Sequence, residues 1–250
     1  MNLQAFFQQH PKAALGFSGG VDSSYLLYAG TQAAAQICPI FVKTAFQPQF
    51  ELEDAKRVAA YCGTKLKIIE LDILQSETIC QNDPLRCYHC KHRIFEAVQA
   101  AGQALGYTLL LDGSNASDDA ADRPGMKALR ELGVASPLRD CGLKKAEIRR
   151  LAREAGLFTW DKPAYACLAT RFPTGRTITA DLLLQVEQAE NALFRLGFTD
   201  FRLRLQSDCA RIQLPEAQME NILRHRAEIL SALAGFPAIL LDLSPRQPSP

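Results

Sequence analysis

The strongest constraint in this sequence is Gly16-Phe-Ser-Gly-Gly-Val-Asp-Ser-Ser24, set between an apolar run, Ala13-Ala-Leu15, and a helix-like run, Tyr25-Leu-Leu-Tyr-Ala29. A strand, a glycine turn and a helix opened by Ser23 or Ser24 put backbone N–H groups and a positive dipole end where a phosphate can sit. The loop is not a Walker A loop, because no Gly-Lys-Ser/Thr ending follows the glycines, and it is not Gly-x-Gly-x-x-Gly. Two glycines and a serine alone would equally suit a tight strand–helix turn with a capping serine. Ser18, Gly19, Gly20, Val21, Asp22, Ser23 and Ser24 occurring together in that context point to a phosphate cradle. Asp22 can bind Mg²⁺ directly or through water, since hard cations prefer carboxylate oxygen; its other reading is charge complementation of the helix N-terminus.

The chain around this loop alternates strands and helices. Leu3 to His10 is a short helix ended by Pro11, Cys38 to Thr44 a buried strand, and Glu51 to Tyr61 a helix with Leu52, Ala55 and Val58-Ala59 on one face. Lys65 to Leu71 is a third strand. Between Leu74 and Lys91 the pattern stops in a loop that carries Cys87-Tyr-His-Cys90, and helix resumes from Lys91 to about Leu105. Tyr107 to Leu111 is a strand ending in the polar turn Asp112 to Asp119, whose Gly113 and Asn115 would flank a nucleotide. This order implies a parallel sheet, with ligands beyond the carboxyl ends of the strands. Met126 to Leu132 is a short helix, Val134 to Leu138 an extended piece, and Lys144 to Ala155 an amphipathic helix with Ile148, Leu151 and Ala152 inward. Thr159 to Thr179 has no period, and so long a loop is more often functional than incidental. Helix (Ala180–Leu196), two strands (Phe201–Gln206, Ala210–Leu214), helix (Glu216–Leu233) and strand (Pro237–Leu243) then indicate a small α+β domain. The expected divisions are 1–158, a linking active-site loop 159–179, 180–243, and a disordered tail 244–250.

Lys and Arg number 28 against 27 Asp and Glu, so the formal charge of +1 makes no general electrostatic case for a nucleic-acid partner. No apolar run approaches the roughly 18 residues that span a bilayer, and the first residues lack the basic start and apolar core of a signal peptide. A cytoplasmic protein without a membrane partner is expected, and a homo-oligomer.

The eight cysteines are too dispersed for a disulfide framework. Cys87-x-x-Cys90 alone is an incomplete zinc site. It does not open a helix after the first strand of a thioredoxin-like unit, so a redox dithiol fits poorly. Two thiolates plus a third cysteine would suit a cluster with one iron left open. Cys167 lies among small residues and ahead of Arg171 and Arg176, cations that would favour the nucleophilic thiolate; a plain buried loop cysteine accounts for the same pattern slightly better.

Ser18 to Ser24 resembles the signature loop of the ATP pyrophosphatase superfamily, whose members cleave ATP between its α- and β-phosphates. That loop, together with Asp83-Pro-Leu-Arg-Cys-Tyr-His-Cys-Lys91, Asp112-Gly-Ser-Asn115 and Asp161-Lys-Pro-Ala-Tyr-Ala-Cys-Leu-Ala-Thr-Arg171, resembles the LarE family of ATP-dependent sulfur transferases over nearly the whole chain. The resemblance implies an α/β fold: a parallel-sheet PP-loop ATP pyrophosphatase domain, adenine nucleotide α-hydrolase-like, with a smaller C-terminal α+β domain. It also implies adenylylation of a carboxylate of pyridinium-3,5-biscarboxylic acid mononucleotide and its conversion to a thiocarboxylate for the nickel-pincer nucleotide cofactor, with ATP and Mg²⁺ required. In one branch the cysteine at the position of Cys167 gives up its own sulfur and becomes dehydroalanine. In another, three cysteines, here Cys87, Cys90 and Cys167, hold a 4Fe–4S cluster.

In the second domain strand alternation puts Arg202 and Arg204 on one face, with Arg211 on the next strand. Arginine forks match phosphate, so the resemblance implies that these arginines, with Arg171 and Arg176, bind the substrate mononucleotide; exposed strand charges are the plainer account. Family members often carry an acidic residue where this chain has Gln213. The competing activities are tRNA thiolation, which calls for a basic surface, and ammonia-dependent amide ligation, which leaves the Cys167 segment unexplained. A non-catalytic nucleotide-binding protein comes last.

Overall fold

Along the two central strands of this chain successive side chains face opposite ways, and both faces are apolar, so helices must cover both sides. Ala13, Leu15, Ile37 and Phe41 enter one buried cluster, while Ala14, Cys38, Ile40 and Val42 enter a second. The computed structural model, which describes residues 2–118 and 124–247, resolves this pattern into a layered α/β unit. In chain order it has α1 (Leu3–Gln9), β1 (Lys12–Gly16), α2 (Val21–Gln32), β2 (Gln36–Lys43), α3 (Gln49–Tyr61) and β3 (Lys67–Glu70). Then come α4 (Glu77–Cys80), α5 (Arg86–Ala104), β4 (Leu110–Leu111), α6 (Pro124–Glu131), α7 (Pro137–Asp140) and α8 (Lys145–Glu154). The strands run β3-β2-β1-β4, all parallel. Because β2 lies to one side of β1 and β4 to the other, the sheet has its switch point beyond Gly16 and Leu111, where open α/β sheets bind ligands.

The chain divides into two units, Met1–Gln75 with Leu85–Lys162, and Ser76–Pro84 with Pro163–Pro250. The second unit contains α4 and continues with α9 (Ala180–Arg195), β5 (Arg202–Gln206), β6 (Cys209–Gln213), α10 (Met219–Arg224), α11 (Arg226–Ala232) and β7 (Ile239–Leu241). β5 and β6 form an antiparallel hairpin, and β7 joins β6 in parallel. Leu183, Val186 and Leu193 of α9 are buried, as are Leu203 and Leu205 of β5. Hydrogen bonds stitch in the segment carried over from before residue 85. Asn82 accepts from Gly175 N at 2.8 Å and donates to Pro173 O at 2.8 Å, and Cys80 O accepts from Ile178 N at 2.8 Å.

Several expectations need correction. Cys87 and Cys90 are not in a loop: α5 starts at Arg86 and carries both in its first turns. Ser23 and Ser24 do not open α2; Gly20 is its cap and the serines sit in the first turn. The strand expected over Tyr107–Leu111 pairs with β1 only at Leu110 and Leu111. The helix expected over Glu216–Leu233 is a 3₁₀ turn over Glu216–Gln218 followed by two short helices that meet at His225, with no buried side chain from Leu223 to Glu228. Asp119, and the last three residues of the tail expected to be disordered, lie outside the described residues. Among the described residues no helix is long and apolar enough to cross a membrane.

Candidate active site

Beyond the carboxyl ends of β1 and β4 lies a cavity of about 270 Å³, lined by Ser18, Gly20, Asp22, Ser23, Lys91, Phe95, Gly113 and Asp118 among others. Two close backbone approaches shape it. Gly19 has φ +71°, and a Cβ there would stand 2.9 Å from Ala55 N; a Cβ on Gly113 would stand 2.9 Å from Ser23 N. Side chains are therefore excluded from both positions, and the turn after β4 lies directly on the first turn of α2. Ser18 Oγ meets Ser23 Oγ at 3.1 Å, and Ser23 Oγ donates to Gly20 O at 3.2 Å. Val21 and Ser24 face inward rather than to the cavity, and Ser24 Oγ is buried without a hydrogen-bond partner.

Asp22 is the electrostatic centre. Its Oδ2 accepts from Lys145 Nζ at 2.5 Å, while its Oδ1 is buried and has no hydrogen-bond partner. Burial raises the Asp22 pKa above its ordinary 3.8; Lys145 opposes this and Asp118 adds to it. A buried carboxylate oxygen without a donor is expensive unless a cation or a ligand group completes it. With hard oxygen donors, an adjoining anion cradle and that orphaned atom, the residues fit Mg²⁺ together with a nucleotide phosphate chain. Asn115, expected at the nucleotide's flank, turns inward: its Oδ1 accepts from Ser117 N at 2.8 Å, and its own N–H donates to Asp118 Oδ2 at 3.0 Å. Asp112 accepts from the hydroxyls of Ser114 and of Ser136, the latter at 2.6 Å, which fixes the turn after β4.

Lys145 was not legible from local sequence. It starts α8, its N–H is held by Ser117 Oγ at 3.0 Å, and only the fold brings it to a partner 123 residues away. Lys91 and Asp118 were present in the quoted motifs but carried no assignment. Cys87 is exposed and Cys90 half-buried, both on α5 of the first unit, whereas Cys167 belongs to the second. Within the first unit no group of three or more His, Cys, Asp or Glu among the described residues is placed to hold a metal ion.

In the second unit Cys167 stands half-buried at the head of a 3₁₀ turn, Leu168–Arg171, where its carbonyl accepts from Thr170 N at 3.0 Å. The segment is clamped by Glu190 of α9, which is 1% exposed. Glu190 accepts from Tyr165 Oη, from Arg171 Nε at 2.7 Å and Nη2 at 3.2 Å, and from Leu203 N at 3.0 Å. Cys167 thus lies between two residues whose side chains converge on a single carboxylate. Arg202, also buried, donates to the carbonyls of Ala164 and Phe201 and so ties the same segment to β5. Arg176 is bound to Ser207 O and, at 2.8 Å, to Asp208. The charges of Arg171 and Arg176 are each met by a carboxylate, which weakens the argument that they acidify Cys167.

A second cavity, about 340 Å³, is lined by Arg171, Phe172, Pro173, Arg204, Ser207 and Arg211 among others. Arg204 and Arg211 are directly opposite each other in the β5–β6 register. Arg202, on the same face of β5 as Arg204, is instead spent on the Cys167 segment.

No protein-family model matches the chain. Among curated proteins it is 34% identical over 248 residues to an uncharacterized protein of Synechocystis sp., covering 97% of this chain and 92% of that protein. It is 31% identical over 245 residues to the pyridinium-3,5-bisthiocarboxylic acid mononucleotide synthase of Lactiplantibacillus plantarum, covering 96% of this chain and 89% of that protein. An uncharacterized protein of Methanocaldococcus jannaschii is 30% identical over 244 residues, covering 97% and 93%.

Proposed function

The chain belongs to the LarE family, and on that premise we propose that it is an ATP-dependent sulfur transferase. It converts the carboxylates of pyridinium-3,5-biscarboxylic acid mononucleotide to thiocarboxylates on the way to a nickel-pincer nucleotide cofactor. ATP is a substrate, with its phosphates on the backbone of Ser18 to Ser23, and Asp22 offers its unpartnered oxygen to Mg²⁺. Bound there, Mg²⁺ would neutralise phosphate charge and orient the chain of phosphates. Lys145, already 2.5 Å from Asp22, supplies a second positive charge beside the pyrophosphate that leaves.

A substrate carboxylate oxygen attacks the α-phosphorus and expels pyrophosphate, leaving an acyl adenylate. The Cys167 thiolate then adds to the acyl carbon and expels AMP, forming a thioester. Removal of the acidified Cα proton of residue 167 breaks its Cβ–Sγ bond. The products are a thiocarboxylate and dehydroalanine. Arg204 and Arg211 receive the phosphate of the mononucleotide.

The observation that carries this reading is the setting of Cys167, a half-buried thiol in a segment held on both sides by Glu190. A cysteine kept only for packing needs no such bracket. The test is a single turnover with ATP, Mg²⁺ and the biscarboxylate mononucleotide. AMP, pyrophosphate and a protein lighter by H₂S, with dehydroalanine mapped to residue 167, are expected. Unchanged mass with brown, oxygen-sensitive protein that loses colour on Cys87→Ala would assign the sulfur to a cluster instead. Thiocarboxylate formed at the normal rate by Cys167→Ala would overturn both versions.

A further inference from the structure

Six arginines and four carboxylates of the second unit are unevenly paired. Arg171 is matched by Glu190, Arg176 by Asp208, and Arg211 by Asp242 at 2.5 Å; Arg202 and Arg246 share Asp200. Arg204 is the exception. Among the described residues its guanidinium bonds only to neutral oxygens, Gln213 Oε1 at 2.8 Å and Thr170 O at 3.0 Å. Gln213 turns its other end to Asp242, donating from Nε2 to Oδ2 at 2.8 Å. One amide thus faces a cation with its oxygen and an anion with its N–H, an arrangement that neither a carboxylate nor an ammonium could reproduce.

The consequences are electrostatic. A glutamate at 213 would still accept from Arg204, but it would cancel the arginine's charge and face Asp242 with a like charge. The glutamine holds Arg204 in place without spending its charge, and it holds Asp242 on Arg211. The titration behaviour agrees with this geometry. Hydrogen bonding from Gln213 is the foremost cause keeping the Asp242 carboxyl below its usual range. Burial, with the charges of Arg171, Arg246 and Arg211, keeps the Arg204 guanidinium below its own.

We propose that Gln213 is the specificity residue of the second unit's cavity: it leaves Arg204 as the single uncompensated cation there, which selects a phosphate monoester over the uncharged nucleoside or sugar. This rests on the reading above that Arg204 and Arg211 receive the phosphate of a mononucleotide, and it adds the residue that sets the preference.

The test is calorimetric titration of the full chain with ribose 5-phosphate and with ribose, without ATP. Wild type should bind the phosphate ester measurably and ribose not at all. Gln213→Glu should weaken ribose 5-phosphate binding by about tenfold to a hundredfold, the scale of one charge-assisted hydrogen bond. Asp242→Asn releases the charge of Arg211 and should tighten it, a gain that misfolding cannot imitate. Gln213→Glu binding as tightly as wild type with Asp242→Asn no tighter, or ribose competing equally with its phosphate, would overturn the proposal. Neither titration involves sulfur. Phosphate selectivity that follows this pattern in a protein that forms no thiocarboxylate would therefore retire the sulfur-transfer reading and leave this one standing.

Discussion

Replacing Glu190 by glutamine isolates the electrostatic part of the clamp around Cys167. The two side chains of the Arg171–Glu190 pair are 0% and 2% exposed, so solvent cannot take over for a missing charge. Glutamine keeps the volume and one acceptor, enough for Arg171 Nε and Leu203 N, but it places an NH₂ where Oε2 receives Arg171 Nη2. A buried guanidinium is left without a counter-charge and opposite a donor. Breaking one partner of such a pair costs about 3–5 kcal/mol, a large share of the roughly 5–15 kcal/mol that holds a domain folded. The loss should fall on the second unit. Trp160, the single tryptophan, lies in the first unit and reports that unit's urea transition by fluorescence, while hydrogen exchange of peptides from 180–213 reports the second. The double replacement Arg171→Met with Glu190→Leu removes both charges together and should cost much less, because apolar pairs often replace buried ion pairs without loss. A single replacement costing under about 1 kcal/mol, or a double as damaging as the single, would refute the assignment of the clamp's strength to charge.

Two further predictions follow from titration. Asp22 has a raised pKa, so the stability it contributes is present below 3.8, its unfolded value, and is lost as pH rises through the folded value; its ionised form is the costly one. Asp22→Asn should therefore keep or raise thermal stability at neutral pH while abolishing AMP formation. The acid limb of AMP formation in wild type should lie above pH 3.8 and move higher in Lys145→Met, and a limb that ignores Lys145 would contradict the pairing. The Cys62 thiol is pushed up by burial to about 11, whereas Cys87 is exposed, so brief alkylation at pH 8 should label Cys87 far ahead of Cys62; equal labelling read by peptide mass would refute the difference.

The parts of this fold that follow a period could be read from the sequence, and the parts that depend on distant partners could not. Leu52, Ala55, Val58 and Ala59 mark one face of α3 and are buried as their spacing requires. The start of α5, Arg86 to Cys90, reads as loop because Arg86-Cys-Tyr-His-Cys-Lys91 offers no apolar repeat before Ile94 and Phe95; Phe95 and Val98 hold the helix to the sheet. Tyr107–Leu111 has the composition of a longer strand, yet β4 pairs with β1 at two positions and meets only an isolated bridge at Ala135 on its other side. At the candidate site the glycines and Asp22 were visible as a local motif. Lys145 and Glu190 were not: one opens an ordinary amphipathic helix, and the other is a glutamate on a helix whose remaining inward positions are apolar.

The stitching of Ser76–Pro84 into the second unit has a bearing on how the polypeptide is made and cut. Translation delivers Cys80 and Asn82 about eighty residues before Pro163, so this short span waits, its partners unmade, while the rest of the first unit is synthesised. The second unit closes only when Pro173, Gly175 and Ile178 have left the ribosome and found the earlier strip of chain. A fragment beginning at residue 163 would lack that strip, and Asn82 would be missing from beneath Pro173 and Gly175. Recombining this protein with a relative at a single junction between residues 85 and 162 therefore parts the strip from the rest of the second unit and divides the first unit as well, and a working chimera must exchange the strip and the C-terminal part together.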